Sequence, residues 1–346
     1  MKKVISILIV MMFGVFCACS VNEVPEIPGE PISEAEKTIW NIAGKDYELE
    51  VPAKTRMEFY EGGEMAVYTS SISDSPVVVD FSALSGCDEI TRLSVYISSE
   101  TEKIVVPNIP NLEYCYFFSA FDSPIGKIDL SAAEKIVTID IDALTEELII
   151  GKGTESLILG KGFDLSKISG GENLKSITLH GGADLSLIDG IGEIEKVYIS
   201  GEGSDIGELE NLKTLKRLSL IGTDFDLSGI KNLTMETLVL GDYIGQSTVD
   251  SITGSETITD LHISDRSVTD IAVIEKMPNL KTILLTVDSV QDSSITLWYN
   301  GTINEEMLDL LKTNVDKAPL KKFIQNGGEI YIFADPNRAT VSSMAE

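Results

Sequence analysis

The chain is 346 residues long and strongly acidic, with 55 Asp and Glu against 27 Lys and Arg and a formal net charge of −28 at pH 7. Such a field repels a phosphate backbone, which excludes nucleic-acid binding as a role. The length suits two globular domains or one elongated array, and the acid excess reads as a well-solvated exterior that keeps an extended molecule soluble.

The chain opens with Lys2 and Lys3, an apolar run from Val4 to Phe16, and then Phe16-Cys17-Ala18-Cys19-Ser20. A run this short does not span the ~30 Å hydrocarbon core as a helix, so it is read as a signal-peptide segment. The small residue Ala18 before Cys19 resembles the lipobox of bacterial lipoproteins. That resemblance implies removal of residues 1–18 and attachment of lipid to Cys19. Residues 20–36, SVNEVPEIPGEPISEAE, carry three prolines, five glutamates and no basic residue, so 19–36 is expected to be an acidic disordered tether. Glu23 and Glu26 soon after the cysteine resemble the surface-export signals of Bacteroidetes lipoproteins. The expected location is a lipid anchor in the bacterial outer membrane, with exposure at the cell surface.

Residues 37–76 hold Trp40, Tyr47, Phe59, Tyr60 and Tyr68 around Gly62-Gly63 and are expected to form short strands that close one end of an array. From 77 to 300 an apolar pattern recurs ten times, Leu/Ile-x-x-Leu/Ile-x-Leu/Ile, clearest at Leu174-Ile177-Leu179, Leu215-Leu218-Leu220 and Leu280-Ile283-Leu285. Its fourth positions are Leu93, Cys115, Ile139, Leu157, Ile177, Val197, Leu218, Leu238, Leu261 and Ile283, between 18 and 24 residues apart. One short strand per period of about twenty residues predicts a solenoid of stacked parallel strands, each repeat burying its face against its neighbours.

Within Leu174-Lys175-Ser176-Ile177-Thr178-Leu179, strand alternation sends the first, fourth and sixth residues inward and the others outward. After Gly181-Gly182, Leu185, Ile188 and Ile191 follow at three-residue spacing, which predicts a tight 3₁₀-like or irregular return. Glycine pairs such as Gly160-Lys161-Gly162 and Gly201-Glu202-Gly203 belong to repeat turns rather than to a phosphate cradle. Segments 215–233 and 258–280 resemble the leucine-rich repeats of the internalin-like, short-period class, and 83–95, with Cys87-x-x-Ile90-x-x-Leu93-x-Val95, resembles the repeats of BspA-type bacterial surface proteins. The resemblance implies a leucine-rich repeat solenoid. It departs from the family at the ninth position, where Gly182, Thr223 and Asp288 replace the usual Asn, so the turns must satisfy their backbone groups differently. Between Cys115 and Leu157, extra apolar clusters at Ile128-Leu130 and Leu148-Ile150 crowd the register.

Residues 301–346 are expected to seal the other end. Asn304 followed by Glu305 and Glu306 marks a helix start running through Leu311, Glu329 to Phe333 reads as a strand after Gly327-Gly328, and Arg338 to Glu346 should fray.

No catalytic motif is present, and the expected activity is non-enzymatic, with no cofactor and no metal. The two histidines, His180 in a turn and His262 at an outward strand position, are four repeats apart, too far for one ion at ~4.8 Å per strand. Asp140 with Asp142 and Asp224 with Asp226 are pairs of the kind an acid excess supplies by chance. Cys87 and Cys115 read as small buried hydrophobes. Outward positions instead point to binding. The third positions include Arg92, Tyr114, Lys196 and Arg217, and the fifth positions include Tyr116, Asp140, Tyr198 and His262. Tyr114, Tyr116 and Tyr198 suit recognition of protein or sugar, and Lys196, Lys216 and Arg217 form a basic patch. With His262 these are the candidate contacts on the concave face. A protein-interaction or adhesion module is the first reading. A glycan-capture surface lipoprotein serving polysaccharide uptake, and a periplasmic scaffold, are the alternatives.

Overall fold

The computed structural model describes residues 35–334 apart from 53–54, 70–76, 99, 121–123, 183, 203–204, 224, 228, 253, 266, 288, 291–301 and 310. The targeting segment, residues 19–34 of the tether with Cys19, Asp224, Asp288 and the tail from Arg338 lie outside the described residues, whereas Ala35 and Glu36, expected in the tether, open the first strand. The molecule is built mostly from strands in parallel sheets, with few helices and no closed barrel, an arrangement compatible with a β-rich solenoid.

Thirteen strands form one long sheet, in spatial order Arg56–Tyr60, Glu64–Thr69, Arg92–Ile97, Tyr114–Ser119, Thr138–Asp142, Ser156–Leu159, Ser176–His180, Lys196–Glu202, Arg217–Thr223, Thr237–Leu240, Asp260–Ile263, Thr282–Val287 and Glu329–Ala334. All pairs are parallel except the opening hairpin. The ten apolar anchors stand beside one another across this sheet from Leu93 to Ile283 without a slip, and every one is fully buried. A one-residue slip would turn an entire apolar set outward, so this burial fixes the register. The column continues one strand further at each end, through Met65 beside Leu93 and Ile330 beside Ile283.

A second, shorter sheet of seven strands corrects the expectation of irregular returns throughout. It runs Ala35–Ile42, Lys45–Pro52, Val77–Asp80, Thr101–Val105, Ile125–Asp129, Thr145–Ile150 and Ile168–Gly170. The apolar clusters that crowd 115–157 are its strands: Ile128 and Leu148 pair across it and are buried, while the long sheet keeps its register. Beyond residue 170 the returns are 3₁₀ turns, Leu185–Gly190, Ile206–Asn211, Ile230–Asn232 and Ala272–Lys276, with one short helix at Gln246–Ser251. A single continuous apolar core extends from Ile42 to Ile332 and takes in the inward residues of both sheets and of these turns.

The return turns are opened by aspartates. Asp164, Asp184 and Asp205 each accept a hydrogen bond from the backbone N–H two residues on, at 2.9, 3.1 and 2.8 Å, and Asp80, Asp129 and Asp270 do the same. Each carboxylate satisfies an N–H that a tight turn leaves unpaired. Next to them the backbone of one coil bonds the adjacent coil, as Ile206 N–H does to the Asp226 carbonyl and Gly222 N–H to the Asp242 carbonyl. These contacts occupy the place of the missing Asn ladder.

Both ends are closed. Within the stretch expected to cap this end, Ala35–Ile42 with Lys45–Pro52 and Arg56–Tyr60 with Glu64–Thr69 supply a hairpin to the end of each sheet. At the other end, Asn304 Oδ1 accepts from Met307 N–H at 2.8 Å and opens the helix Glu305–Asp309. A second helix, Lys317–Gln325, absent from the sequence expectation, is capped by Asp316 and buries Leu320 beside the final strand. Among the described residues no helix is long and apolar enough to cross a membrane.

Glycine is required where coils turn most closely. Gly222 has φ +128°, and a Cβ there would overlap the Gly201 carbonyl oxygen, whereas Gly162 has φ +79° with open space around it. Gly162→Ala is expected to lose roughly 1–2 kcal/mol from the left-handed backbone alone, and Gly222→Ala about 3 kcal/mol or more because the neighbouring coil must also move. Urea unfolding followed by circular dichroism checks the difference. Equal losses would show that coil-to-coil approach is not what demands glycine at 222.

Candidate functional site

One face of the long sheet packs on the core, and the other carries side chains at the third, fifth and seventh positions of each strand. This outer face is chemically unlike the rest of the chain. Seven of the nine described tyrosines stand on it, Tyr60, Tyr68, Tyr96, Tyr114, Tyr116, Tyr198 and Tyr331. All three described arginines, Arg56, Arg92 and Arg217, are there too, each with its guanidinium over a tyrosine ring of a neighbouring strand.

The densest group lies at the N-terminal end. Arg56, Tyr68, Tyr96 and Phe118 are successive register partners in one row. Arg56 is 4.8 Å from the Tyr68 centroid, and Tyr68 stacks on Tyr96 at 4.8 Å with 8° between planes. Tyr96 meets Tyr116 edge to face at 5.8 Å and Phe118 at 6.2 Å. Beside them Arg92 lies 4.3 Å from the Tyr114 centroid, and the Tyr114 hydroxyl donates to Asp140 Oδ2 at 2.9 Å. Burial raises the Asp140 carboxyl pKa, and the Tyr114 hydroxyl partly offsets that rise. Tyr68, Tyr96, Tyr114, Tyr116 and Phe118 are all half-buried.

The rings therefore stand on edge. Tyr68 has Arg56 on one side and Tyr96 on the other, at the spacing of adjacent strands, so neither of its faces is open to a flat ligand. Arg92 occupies one face of Tyr114. What the group presents is ring edges and the outer edge of the Arg92 guanidinium, since Arg56 is paired with Glu58 at 3.1 Å and the Tyr114 hydroxyl with Asp140, and it is held by several contacts of about 0.5–1.5 kcal/mol each.

The structure brings Tyr114 and Tyr116 into this group and places Tyr198 four strands away, about 19 Å at ~4.8 Å per strand. Tyr68, Tyr96, Phe118 and Arg56 were missed by the sequence reading. Their signal is the seventh position, the next outward step of the alternation in the longer strands, together with the hairpin that precedes the first repeat.

Around Tyr198 the basic patch divides. Lys196 and Arg217 are register partners at the third position, and Arg217 lies 6.0 Å from the Tyr198 centroid. Burial pushes the Tyr198 hydroxyl pKa up. Lys216 is one residue earlier and belongs to a rim of alternating charge, Glu155, Lys175, Glu195, Lys216 and Glu236, whose backbones bond in succession. It pairs with Glu195 at 2.7 Å and holds that carboxyl below its usual range. Its charge is committed to the rim, which corrects its place among the contacts.

His262 is corrected as well. It stands at the outward fifth position between Val239 and Leu284, but only 6% of it is exposed and Nδ1 has no hydrogen-bond partner among the described residues. Burial, with a smaller push from the Arg217 charge, lowers its pKa to about 4, so the ring is neutral and serves as packing. His180 ends its strand rather than sitting in the turn, with Nδ1 2.7 Å from Ser200 Oγ. Cys87 and Cys115 are free and buried, and burial raises both thiol pKa values. Among the described residues no group of three or more His, Cys, Asp or Glu is placed to hold a metal ion.

The His262 assignment has a pH signature. A ring neutral in the fold and titrating ordinarily when unfolded contributes stability that is whole above about pH 6.5 and is lost as pH falls toward 4. His262→Leu is expected to flatten the fall in melting temperature between pH 7 and pH 5, measured by scanning calorimetry. An NMR titration of His262 in the native protein giving an ordinary histidine pKa would refute the assignment. A scan against protein-family models and a search of curated proteins found no match to this chain.

Proposed function

We propose that this chain is a lipid-anchored, non-enzymatic protein-interaction or adhesion module, a leucine-rich repeat solenoid that presents the outer face of its long sheet to a protein partner. The observation that carries the reading is the selective placement of residues: every described arginine stands over a tyrosine on this one face, in a chain with only five arginines. Tyrosine and arginine are the residues that most often dominate protein contacts, because they bring large area and directional hydrogen bonds at low entropic cost. The stacked strands, the buried anchor column and the 3₁₀ returns support the repeat assignment. The lipobox and the tether support anchoring at the outer membrane, and the face would then be carried away from the bilayer.

Glycan capture is the weaker reading because sugars bind by laying a pyranose on an open ring face, and the faces of Tyr68 are taken by Arg56 and Tyr96. The experiment compares the two directly. A partner captured by crosslinking on intact cells, identified and purified, is expected to bind the wild-type protein saturably and the Tyr68→Ala/Tyr96→Ala/Arg92→Ala variant at least tenfold more weakly, the loss typical of removing a contact hot spot. On a glycan array the wild type should give no signal. Glycan binding that disappears in the triple variant, with no saturable protein partner, would overturn the proposal. Protease shaving of intact cells reports the orientation, since a periplasmic protein survives it.

A further inference from the structure

We propose that Lys196 and Arg217 form a seat for an oxyanion group of the ligand, at the centre of the outer face and separate from the aromatic group at its N-terminal end. The identity of that ligand rests on the protein-interaction reading above. The seat itself does not.

The two cations are direct register partners on adjacent strands, an arrangement that destabilises a sheet unless an anion lies between them. This chain has 55 acids available to neutralise them, yet among the described residues neither has a carboxylate within 4.0 Å, although Lys216 and Lys175 one position away both do. The nearest acids are engaged elsewhere. Glu195 is held by Lys216 at 2.7 Å, and Asp260, two strands beyond Arg217, takes the Thr259 hydroxyl at 2.6 Å.

The surroundings are hydrogen-bond donors. The third-position row reads Ser176, Lys196, Arg217, Thr237, so that a hydroxyl flanks the cation pair on either side. The guanidinium is fastened on one side: its Nε donates to Ser219 Oγ at 3.3 Å and its Cζ lies 6.0 Å from the Tyr198 centroid. That fastening leaves the two terminal nitrogens of the fork for a second partner, the edge that receives a carboxylate, sulfate or phosphate with two parallel bonds. The neutral, buried His262 adds no charge of its own. At physiological salt the Debye length is about 8 Å, so the remote acids of the molecule are screened while the two cations act at contact.

The purified protein, isotopically labelled, is titrated at constant ionic strength with sulfate, phosphate, N-acetylglutamate or chloride, and the Arg217 Nε–H and Lys196 side-chain signals are followed by NMR. A saturable shift is expected with the oxyanions and not with chloride, weakened at least tenfold in Arg217→Gln and in Lys196→Gln and unchanged in Lys321→Gln, on the closing helix and paired with Asp309. Unchanged melting temperatures establish that the variants are folded. Preference for N-acetylglutamate assigns the group to an acidic side chain of a protein, and preference for sulfate or phosphate assigns it to an ester on a glycan or lipid. Shifts that fail to saturate, that chloride reproduces, or that persist at full strength when Arg217→Gln and Lys196→Gln are combined overturn the seat. Loss of the seat with protein capture intact would leave the functional proposal standing, and capture failing while the seat saturates would do the reverse.

Discussion

A coil of about twenty residues cannot bury an apolar face by itself, so each coil of this chain depends on the one before and the one after. The column from Met65 to Ile330 is the physical form of that dependence: each anchor fills the space between two neighbours, and truncating one would cost about 2–5 kcal/mol at a point that two coils share. Close stacking makes a second demand. Coils can approach to strand spacing only if the backbone at each turn finds partners and no side chain intervenes. Aspartate and glycine meet that demand together, the first by accepting turn N–H groups, the second by letting Gly222 lie against Gly201. Part of the acid excess is thus architecture. Asp164, Asp184 and Asp205 are where they are because a turn needs an acceptor.

Much of this was legible in the residues. The period placed all ten anchors, and alternation assigned their neighbours to the correct sides, because inward and outward positions differ by a full change of solvent. Three-residue spacing at Leu185, Ile188 and Ile191 indicated a 3₁₀ return, which forms at Leu185–Gly190. The short sheet was harder to see. Its strands, such as Thr101–Val105 and Ile125–Asp129, are brief and only partly apolar. They pair only with one another across coils, so no single repeat announces them. Ile128-Leu130 and Leu148-Ile150 looked like intrusions into one register when they were members of another.

The site was legible in its rows and not in its pairings. Tyr114, Tyr116, Tyr198, Lys196 and Arg217 could be assigned to the outer face from spacing alone. Which of their charges are already committed depends on lateral geometry. Lys216 and Arg217 are adjacent in sequence, but strand alternation sends one to the rim against Glu195 and the other over Tyr198. His262 illustrates the same limit, since an outward position is still buried when its neighbours in the row are Val239 and Leu284.

Taken with the charge, these placements define what the outer face can recognise. A molecule at −28 repels its own kind and most acidic surfaces, so a contact face must be the place where that repulsion is weakest. Some acids are drawn off into turn caps and the rim, where lysines neutralise part of them. On the face itself Glu58, Glu64, Asp140, Asp142, Asp260 and Glu329 stand among the cations, and each described arginine lies over a tyrosine. Because Tyr68 and Tyr96 are stacked at strand spacing, their flat faces support one another. The row is pre-ordered, so it would lose little conformational freedom on contact. Under the proposed protein-interaction role, such a row favours a ligand that offers acceptors and apolar side chains along a line across the strands.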